Sequence, residues 1–303
     1  SEDPLLTGRI AAAYVNGIQS NGVGVSAKHF AGNNQETNRQ KVDTRMSTRA
    51  LREMYLKGFE IVVKEAHPWT VMSSYNKING AYTQEDHELL TTILRDEWGY
   101  NGIVMTDWIG TRNTKAQVHA QNDLMEPGDE EQIEDIVNAV NDGSLDIADV
   151  DRCVRNMLEY IVRTPRFNRY EFSNDPELEA HGELVRKAAA EGLILLKNDA
   201  SVLPMKDVKN VALYGVGSYD FVAGGTGSGN VNKPYVRNIA EGLETDGFVV
   251  DKDIREWYEQ YIKFSKIDAK KSLTKPFGIL LGEAVVGEMN VNRAFIDKKV
   301  AST

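Results

Sequence analysis

Short apolar segments alternate with amphipathic helical patterns in the first half of the chain, and this alternation restricts the fold more than any other feature. Residues 23–30, 69–73 and 103–106 have the length and apolar character of buried strands, and residues 122–125 form a shorter candidate. The helical patterns cover residues 4–20, 48–66, 87–97, 130–141 and 145–162. Strands separated by helices predict βαβ units and therefore a parallel sheet.

Polar side chains follow each predicted strand. They are Lys28-His29, Ser74-Tyr75-Asn76, Asp107-Trp108 and Glu126. Parallel α/β folds place catalytic groups at the carboxyl ends of their strands, so this pattern is typical of one catalytic face. Only about four strand segments precede the long helices, whereas a (β/α)₈ barrel has eight. The simplest interpretation is the C-terminal half of such a barrel, with the first half missing.

Asp107 directly follows the apolar run Ile103-Val104-Met105-Thr106, and two interpretations are open for it. An aspartate after a strand is commonly a helix N-cap. A glycosidase nucleophile also needs a carboxylate that packing holds close to the anomeric carbon, and a buried strand provides that rigidity. Trp108 could offer a flat apolar face to a sugar ring, or it could belong to the core.

Two further positions carry groups suited to sugar hydroxyls. Lys28 and His29 supply N–H donors at the end of the first predicted strand, and an Asn- and Gln-rich loop follows over residues 31–38. Tyr75, at the end of the second strand, could hydrogen-bond the Asp107 carboxylate or be an ordinary core residue.

A second α/β unit is predicted in the remainder of the chain. Residues 163–175 lack periodicity and are typical of a linker, and a helix is expected over 176–191. The later segments are an apolar run at 193–196, strands at 208–214 and 248–250, helices at 234–243 and 253–270, and a possible strand at 300–303. These patterns predict a half-barrel over 1–162, a linker and connecting helix over 163–192, and the truncated start of a sandwich domain over 193–303.

Composition argues against several classes of protein. The net charge of −10 and the pI of about 5.1 are opposite to the basic footprint of a nucleic-acid binder. The sequence contains no apolar run of the ~18–20 residues that span a bilayer. Cys153 is the only cysteine, which excludes an intrachain disulfide, and no zinc-type Cys/His spacing surrounds it. The glycine-rich segment 224–230 has Asn230 where a phosphate-binding loop requires lysine, so nucleotide binding is not expected.

The start of the chain restricts what can be said of targeting. Ser1-Glu2-Asp3-Pro4 is typical of a helix N-cap with proline in the first turn, and neither an initiator methionine nor a signal peptide precedes it. The chain is therefore expected to lack its natural N-terminus. Localisation stays open, with a cytoplasmic location favoured, and oligomeric state is not predicted.

Several motifs together resemble the family 3 glycoside hydrolases, in particular the β-glucosidase branch. The matching segments are SEDPLLTG at 1–8, KHFAGN at 28–33, VMSSYNKING at 71–80, VMTDW at 104–108, AAEG at 189–192, LLKN at 195–198 and LP at 203–204. The resemblance covers most of residues 1–232. It implies a (β/α)₈-like barrel followed by an α/β sandwich, whose glycine-rich loop at 224–230 would help to close the active site.

The resemblance also implies site roles and a reaction. Asp107 would be the nucleophile of a retaining exo-β-glucosidase, forming a covalent glycosyl-enzyme with no metal or organic cofactor. Lys28, His29, Met72, Tyr75 and Trp108 would line the glycone subsite. The substrate would be a β-glucoside or an oligosaccharide, without nucleic-acid or membrane partners.

The chain departs from the family pattern in two ways. An arginine and an aspartate that bind the glycone in the family come from the first half of the barrel, which is expected to be missing here, and the acid/base is not found. The acid/base glutamate of the family is expected beyond this chain, because Glu283 and Glu288 lack its sequence surroundings and are better interpreted as surface residues. Ala31 stands where the β-N-acetylglucosaminidase branch has proline, which argues against that branch. A β-xylosidase or another exo-glycosidase of the family is the first alternative, and a non-catalytic carbohydrate-binding fragment is the second.

Overall fold

The computed structural model describes residues 2–111, 113–225 and 227–273, which fall into two units. The first unit ends at Pro176 and the second begins at Glu177. Glu283, Glu288 and the possible strand at 300–303 lie outside the described residues. Within the described part of the chain, no helix is long and apolar enough to cross a membrane.

Helices and strands alternate in the first unit as the sequence predicts. The strands are β1 Ser26–Phe30, β2 Asp43–Thr44, β3 Thr70–Ser73, β4 Lys77–Ile78, β5 Ala81–Tyr82 and β6 Ile103–Met105. The helices are α1 Pro4–Gln19, α2 Thr48–Ala50, α3 Lys57–Ala66, α4 Thr114–His119, α5 Glu130–Asn141 and α6 Ile147–Arg163. A π-helical turn over Leu51–Tyr55 separates α2 from α3, and the predicted helix at 87–97 is π-helical over Glu88–Glu97.

The central sheet is parallel, in the order β1-β3-β6, which confirms the prediction of βαβ units. Thr70 of β3 lies opposite Ser26 on one side and opposite Ile103 on the other. The predicted strand at 122–125 is reduced to one parallel bridge between Met105 and Leu124. The carboxyl ends of the three strands therefore meet at one edge of the sheet.

The core of the first unit packs helices against one face of this sheet. Phe30 is fully buried at the end of β1, and its ring meets those of Phe59 and Trp98 edge to face at 5.0 and 5.9 Å. Leu90 and Val104 are also fully buried in this cluster. Burying a side chain of this size contributes about 1.5–3 kcal/mol, so the cluster holds the strand ends firmly in place.

Helix α1 presents its small residues to α3. Its packed side consists of Gly8, Ala12 and Val15, while the four-residue repeat noted in the sequence, Leu6, Ile10, Tyr14 and Ile18, lies on the exposed side. A Cβ atom at Gly8 would lie 2.8 Å from Ile61 Cδ1, so glycine permits the close approach of the two helices. The spacing of large apolar residues predicts the helix correctly but does not identify its packed face.

The second unit contains one small βαβ element. Strand β7 (Asn210–Val211) pairs in parallel with β8 (Val249–Val250), and helix α8 (Ile239–Thr245) lies between them in the chain. Helices α7 (Leu178–Gly192) and α9 (Lys252–Leu273) flank this element in sequence. The predicted strand at 208–214 is thus shorter in the structure, and the apolar run at 193–196 is exposed and has no regular structure.

Helix α8 begins later than its sequence pattern predicts. Asn238 is its N-cap and forms a capping box with Glu241, in which each side chain bonds the backbone N–H of the other. The capping box satisfies two helix N–H groups, so the helix starts at Ile239 instead of residue 234.

Candidate active site

Asp107 lies directly after β6, at the edge where the parallel strands end. Its backbone N–H donates to Ser73 O at 3.2 Å, and its Oδ1 accepts the Trp108 N–H at 2.8 Å. The side chain is 13% exposed, so it can be reached from solvent while packing restricts it. The next helix, α4, is capped by Asn113 and not by Asp107. The helix-cap interpretation of Asp107 is therefore wrong.

His29 of β1 lies close to this carboxylate. Its Nε2 lies 3.5 Å from Asp107 Oδ2, and the imidazole is about one-third exposed. Burial lowers the pKa of His29 below its ordinary value, and the charges of Lys28 and Arg39 lower it further, against the opposing charge of Asp107. The imidazole is consequently neutral at neutral pH and has one N–H to donate.

Lys28 precedes His29 on the same strand and is exposed. The peptide bond between these two residues is cis, as is the bond between Phe30 and Ala31. Lys28 and His29 also line a groove of about 790 Å³ together with residues of α1 and α3, and Asp107 is not among the residues of that groove. The ammonium group of Lys28 brings positive charge to the edge of the sheet that holds the Asp107 carboxylate.

Tyr75 follows β3 and is buried beside the segment that contains Asp107. Its hydroxyl donates to Trp108 O at 2.6 Å. Burial raises the pKa of Tyr75 above its ordinary value, and the negative charge and hydrogen bonding of Asp107 raise it further. The phenol therefore stays protonated at neutral pH and acts as a donor. The sequence leaves open a hydrogen bond to the Asp107 carboxylate or a core position, and the structure gives this hydroxyl the adjacent Trp108 carbonyl as its partner.

Met72 and Trp108 differ in accessibility. Met72 is 9% exposed within β3, where it pairs with Lys28 of β1 and Met105 of β6. Trp108, the residue that follows Asp107, is 56% exposed at the sheet edge. An exposed indole next to a carboxylate is suited to stacking against a sugar ring, whereas Met72 contributes a buried apolar wall.

Arg39 also lies beside these residues, although its sequence position does not predict a site residue. Its guanidinium carbon lies 4.7 Å from the centroid of the Tyr75 ring, and its Nη1 pairs with Glu36 Oε2 at 2.9 Å. A cation over an aromatic face is attractive by about 0.5–1 kcal/mol at exposed sites. Arg39 comes directly after the polar loop at 31–38. The density of polar residues in this loop was the only sequence feature that could have indicated a site residue here.

The structure thus brings Lys28, His29, Met72, Tyr75, Asp107 and Trp108 to the carboxyl ends of three adjacent parallel strands. The arrangement combines a restrained carboxylate with a neutral imidazole, a protonated phenol, an ammonium group and an aromatic face. Chemically, such a set can present an anionic nucleophile to a neutral polyol whose hydroxyls are bound by the N–H donors of Lys28 and His29. The loop at 224–230 belongs to the second unit.

Comparison with known proteins gives matches in sequence and in structure. Exo-alpha-(1->6)-L-arabinopyranosidase of Bifidobacterium longum is 46% identical over 208 residues, which are 68% of this chain and 27% of that protein. Beta-glucosidase B of Emericella nidulans is 41% identical over 254 residues, which are 80% of this chain and 30% of that protein. The chain therefore spans less than a third of the length of these two curated relatives.

A solved structure extends this similarity to the fold. Beta-glucosidase 3B from Thermotoga neapolitana, in complex with glucose, is 46% identical and superposes with a TM-score of 0.82. The superposition covers 87% of this chain and 38% of that chain. The model of the glycosyl hydrolase family 3 N-terminal domain matches residues 1–159, more than half of the chain. The chain belongs to glycosyl hydrolase family 3.

Proposed function

We propose that this chain carries the nucleophile and part of the sugar-binding subsite of a retaining, exo-acting β-glucosidase. One observation carries the proposal: a 13%-exposed Asp107 carboxylate follows β6 with the His29 imidazole 3.5 Å away. Family membership supports a glycosidase reaction at this edge of the sheet. Two of the three relatives described above are named as β-glucosidases, which supports a terminal β-D-glucosyl residue as the substrate.

The proposed reaction has two displacement steps at the anomeric carbon. Asp107 attacks that carbon, a glycosyl ester forms, and the leaving-group oxygen takes a proton from a general acid. Water then attacks the same carbon and gives its proton to the conjugate base of the general acid, while the bond from that carbon to the Asp107 carboxylate breaks, so the configuration is retained. The general acid/base is not assigned to a residue of this chain. Lys28 and His29 bind sugar hydroxyls as donors, Tyr75 accepts from a sugar hydroxyl through its phenolic oxygen while its own proton stays on Trp108 O, and Trp108 covers one face of the ring.

We further propose that residues 1–162 form the C-terminal half of a (β/α)₈ barrel. The parallel order β1-β3-β6, extended by the Met105–Leu124 bridge, supports this arrangement. Residues 163–192 would be a linker and connecting helix, and the βαβ element of the second unit would begin an α/β sandwich domain. The similarity to family 3 enzymes over 87% of the chain is consistent with this division.

A pentose is the second candidate for the glycone. The Bifidobacterium longum relative, at 46% identity, is named as an arabinopyranosidase, and a β-xylosidase would also act on a pentose. Arabinopyranose and xylopyranose lack the exocyclic CH₂OH of glucose. Hydrolysis rates on aryl β-D-glucoside, β-D-xyloside and α-L-arabinopyranoside would separate these candidates, and a preference for either pentoside would overturn the assignment to glucose.

Replacement of the nucleophile tests the reaction class. In the natural full-length gene product, Asp107→Asn should reduce hydrolysis of an aryl β-glucoside at least ~10³-fold, since it removes the attacking carboxylate. A 2-deoxy-2-fluoro-glucosyl fluoride should label the peptide that contains Asp107. Asp151→Asn, which alters an exposed aspartate of α6, is the matched control. Near-normal turnover by the Asp107→Asn enzyme would refute the assignment.

The isolated 303-residue chain is expected to be inactive, because the proposed reaction needs an acid/base that is not assigned within it. A non-catalytic carbohydrate-binding role predicts a different pair of results. Calorimetry would then show glucose binding by this chain, and the full-length gene product would not hydrolyse glycosides. Hydrolysis by the isolated chain would contradict the proposed absence of the acid/base.

A further inference from the structure

A buried polar network lies beneath the turn that carries Trp108. Gln84, in the 3₁₀ turn Thr83–Glu85, is fully buried, and its Oε1 accepts the backbone N–H of Thr111 at 3.0 Å. Gln117 of α4 is 1% exposed, and its Nε2 donates to Gln84 Oε1 at 3.4 Å and to Thr111 O at 3.0 Å. Two buried carboxamides thus hold the same residue of the turn.

The turn over residues 108–111 is built to lie close to Gln84. A Cβ atom at Gly110 would collide with the Gln84 carboxamide, so a larger residue there would displace this side chain. Ile109 has a φ of 55°, in the left-handed region that β-branched residues rarely adopt. A backbone in this conformation persists only where surrounding contacts hold it. The Thr111–Gln84 hydrogen bond is one such contact.

Besides the bond from Gln117 to Thr111 O, three hydrogen bonds to neighbouring segments hold the backbone of this turn. Tyr75 donates to Trp108 O at 2.6 Å, the Ile109 N–H donates to Glu126 O at 3.0 Å, and the Thr111 N–H donates to Gln84. The indole of Trp108 is itself 56% exposed. Its position beside Asp107 therefore depends on the backbone that these bonds fix.

The same network reaches the backbone of Asp107. Asn122, fully buried, donates through Nδ2 both to Gln84 O and to Ser73 Oγ, each at 3.1 Å. Ser73 in turn accepts the Asp107 N–H through its carbonyl oxygen at 3.2 Å. Gln84 is consequently linked to both sides of the Asp107-Trp108 pair, through Thr111 on one side and through Asn122 and Ser73 on the other.

We propose that Gln84 is a positioning residue of the glycosidase site: its carboxamide oxygen fixes the turn 108–111 and thereby the Trp108 indole beside Asp107. The inference rests on the proposed function, because it assigns to Trp108 a contact with the sugar. Among the residues that the structure describes, the oxygen of the Gln84 carboxamide accepts hydrogen bonds, while Nε2 has no partner. The role therefore requires an acceptor at this position, and a residue of similar size without one should not fulfil it.

Two substitutions at Gln84 distinguish the effect of its hydrogen-bond acceptor from the effect of its side-chain shape. Gln84→Met keeps the length of the side chain and removes the oxygen, and Gln84→Glu keeps an oxygen in the same place. In the natural full-length gene product, we expect Gln84→Met to lower kcat/KM for an aryl β-glucoside about 10- to 100-fold, since small displacements of a positioned group cost rate steeply. Gln84→Glu should recover a large part of this loss.

A control variant distinguishes a displaced Trp108 from a general loss of protein stability as the cause of lower activity. The buried Thr91 hydroxyl donates to Ala120 O at 3.1 Å, within the packing between Glu88–Glu97 and α4. Thr91→Val also removes one buried hydrogen bond, and it should leave kcat/KM unchanged even if it lowers the melting temperature. A purely structural Gln84 would make the two variants alike in kinetics and stability.

A double-mutant cycle with Trp108 tests the route of the effect. If Gln84 acts through the turn, Gln84→Met should change kcat/KM less than about 2-fold in a Trp108→Ala background, because the group that it positions is already absent. Equal losses in the two backgrounds would overturn the proposal. Wild-type kinetics for Gln84→Met would overturn it as well.

Hydrogen exchange distinguishes failure of this proposal from failure of the proposed function. The Thr111 amide should exchange faster in Gln84→Met than in the wild type and should regain protection in Gln84→Glu. An active wild-type enzyme with unchanged Thr111 exchange in Gln84→Met would overturn the role of Gln84 alone. A full-length wild type that lacks glycosidase activity would overturn the proposed function. The turn would then have no catalytic role, whatever the exchange rate of the Thr111 amide.

Discussion

The Tyr75 hydroxyl donates a 2.6 Å hydrogen bond to the carbonyl oxygen of Trp108, the residue that follows Asp107. Tyr75→Phe removes this bond and keeps the ring that lies under the Arg39 guanidinium. We expect the substitution to lower kcat/KM for an aryl β-glucoside about 10- to 100-fold, because it loosens the turn beside the nucleophile and leaves the Trp108 carbonyl without this partner. Steady-state kinetics of the full-length gene product would measure this loss.

Tyr82→Phe provides the matched control. Tyr82 lies in β5, where the Lys77 ammonium is 4.6 Å from its ring centroid. The same chemical change there should leave kcat/KM within about 2-fold of wild type. If the two variants lose activity equally, Tyr75 has no particular relation to the Asp107 segment.

The protonation of His29 should depend on Asp107. Burial lowers the pKa of His29, and Asp107 is the strongest influence that raises it. Asp107→Asn removes that negative charge, so the pKa of His29 should fall further below its ordinary value of about 6.5. NMR titration of ¹³C-labelled histidine rings, with His29→Gln to assign the signal, would measure the change. A rise of this pKa in Asp107→Asn would contradict the electrostatic description.

The lowered pKa of His29 also has a consequence for stability. Unfolded His29 takes up its proton at a higher pH than folded His29 does, so the unfolded state binds more protons between the two pKa values. The contribution to stability is complete above about pH 6.5 and decreases as the pH falls toward the folded pKa. Urea unfolding between pH 7.5 and 5.5 should therefore show a smaller loss of stability for His29→Gln than for the wild type.

The parallel sheet could be predicted from the sequence, and the lengths of its strands could not. Apolar runs bounded by helical patterns indicated β1, β3 and β6, because each buried strand needs such a run. The run at 208–214 nevertheless contains only the two paired residues Asn210–Val211, because pairing ends where the partner strand ends. The sequence carries no local signal for that limit.

The residues of the candidate site likewise include some that could be predicted from the sequence and some that could not. Lys28, His29 and Asp107 could be placed together because the carboxyl ends of adjacent parallel strands share one edge. Arg39 and Gln84 could not, because they reach this edge through loops and turns whose backbone path has no periodic pattern. The Gly110–Gln84 contact, for example, exists only because the turn after Asp107 passes directly over a glutamine 26 positions earlier in the chain.

Cys153 should be unreactive in the folded protein. It is 7% exposed in α6, and burial foremost raises the pKa of its thiol to about 12. The reactive thiolate would be a fraction on the order of 10⁻⁴ at pH 8, and the reagent has little access to it. Ellman's reagent should therefore detect no thiol in the native 303-residue chain and one in urea, where Cys153→Ala should give none. Rapid labelling of the native chain would contradict the buried position.

The buried ion pair between Arg95 and Asp123 should be essential to the stability of the first unit. Asp123 Oδ2 accepts from Arg95 Nη2 at 2.6 Å and from the Val104 N–H at 2.7 Å, and Oδ1 accepts from Asn156 at 2.8 Å. The two charged side chains are 9% and 0% exposed. Asp123→Ala leaves a buried guanidinium without its counter-charge and the Val104 amide without its acceptor. Breaking a buried pair in this way costs about 3–5 kcal/mol.

Urea unfolding followed by circular dichroism would measure this loss, with a surface pair as the reference. Arg49 of α2 and Glu53 of the π-helical turn pair at 3.1 Å on the surface, with side chains 83% and 61% exposed. Glu53→Ala should cost less than about 1 kcal/mol, because water screens exposed pairs. Asp123 also links β6 to Asn156 of α6, so its loss should loosen the strand that ends at Asp107. Equal, small losses for the two variants would contradict a role of the buried pair in holding β6.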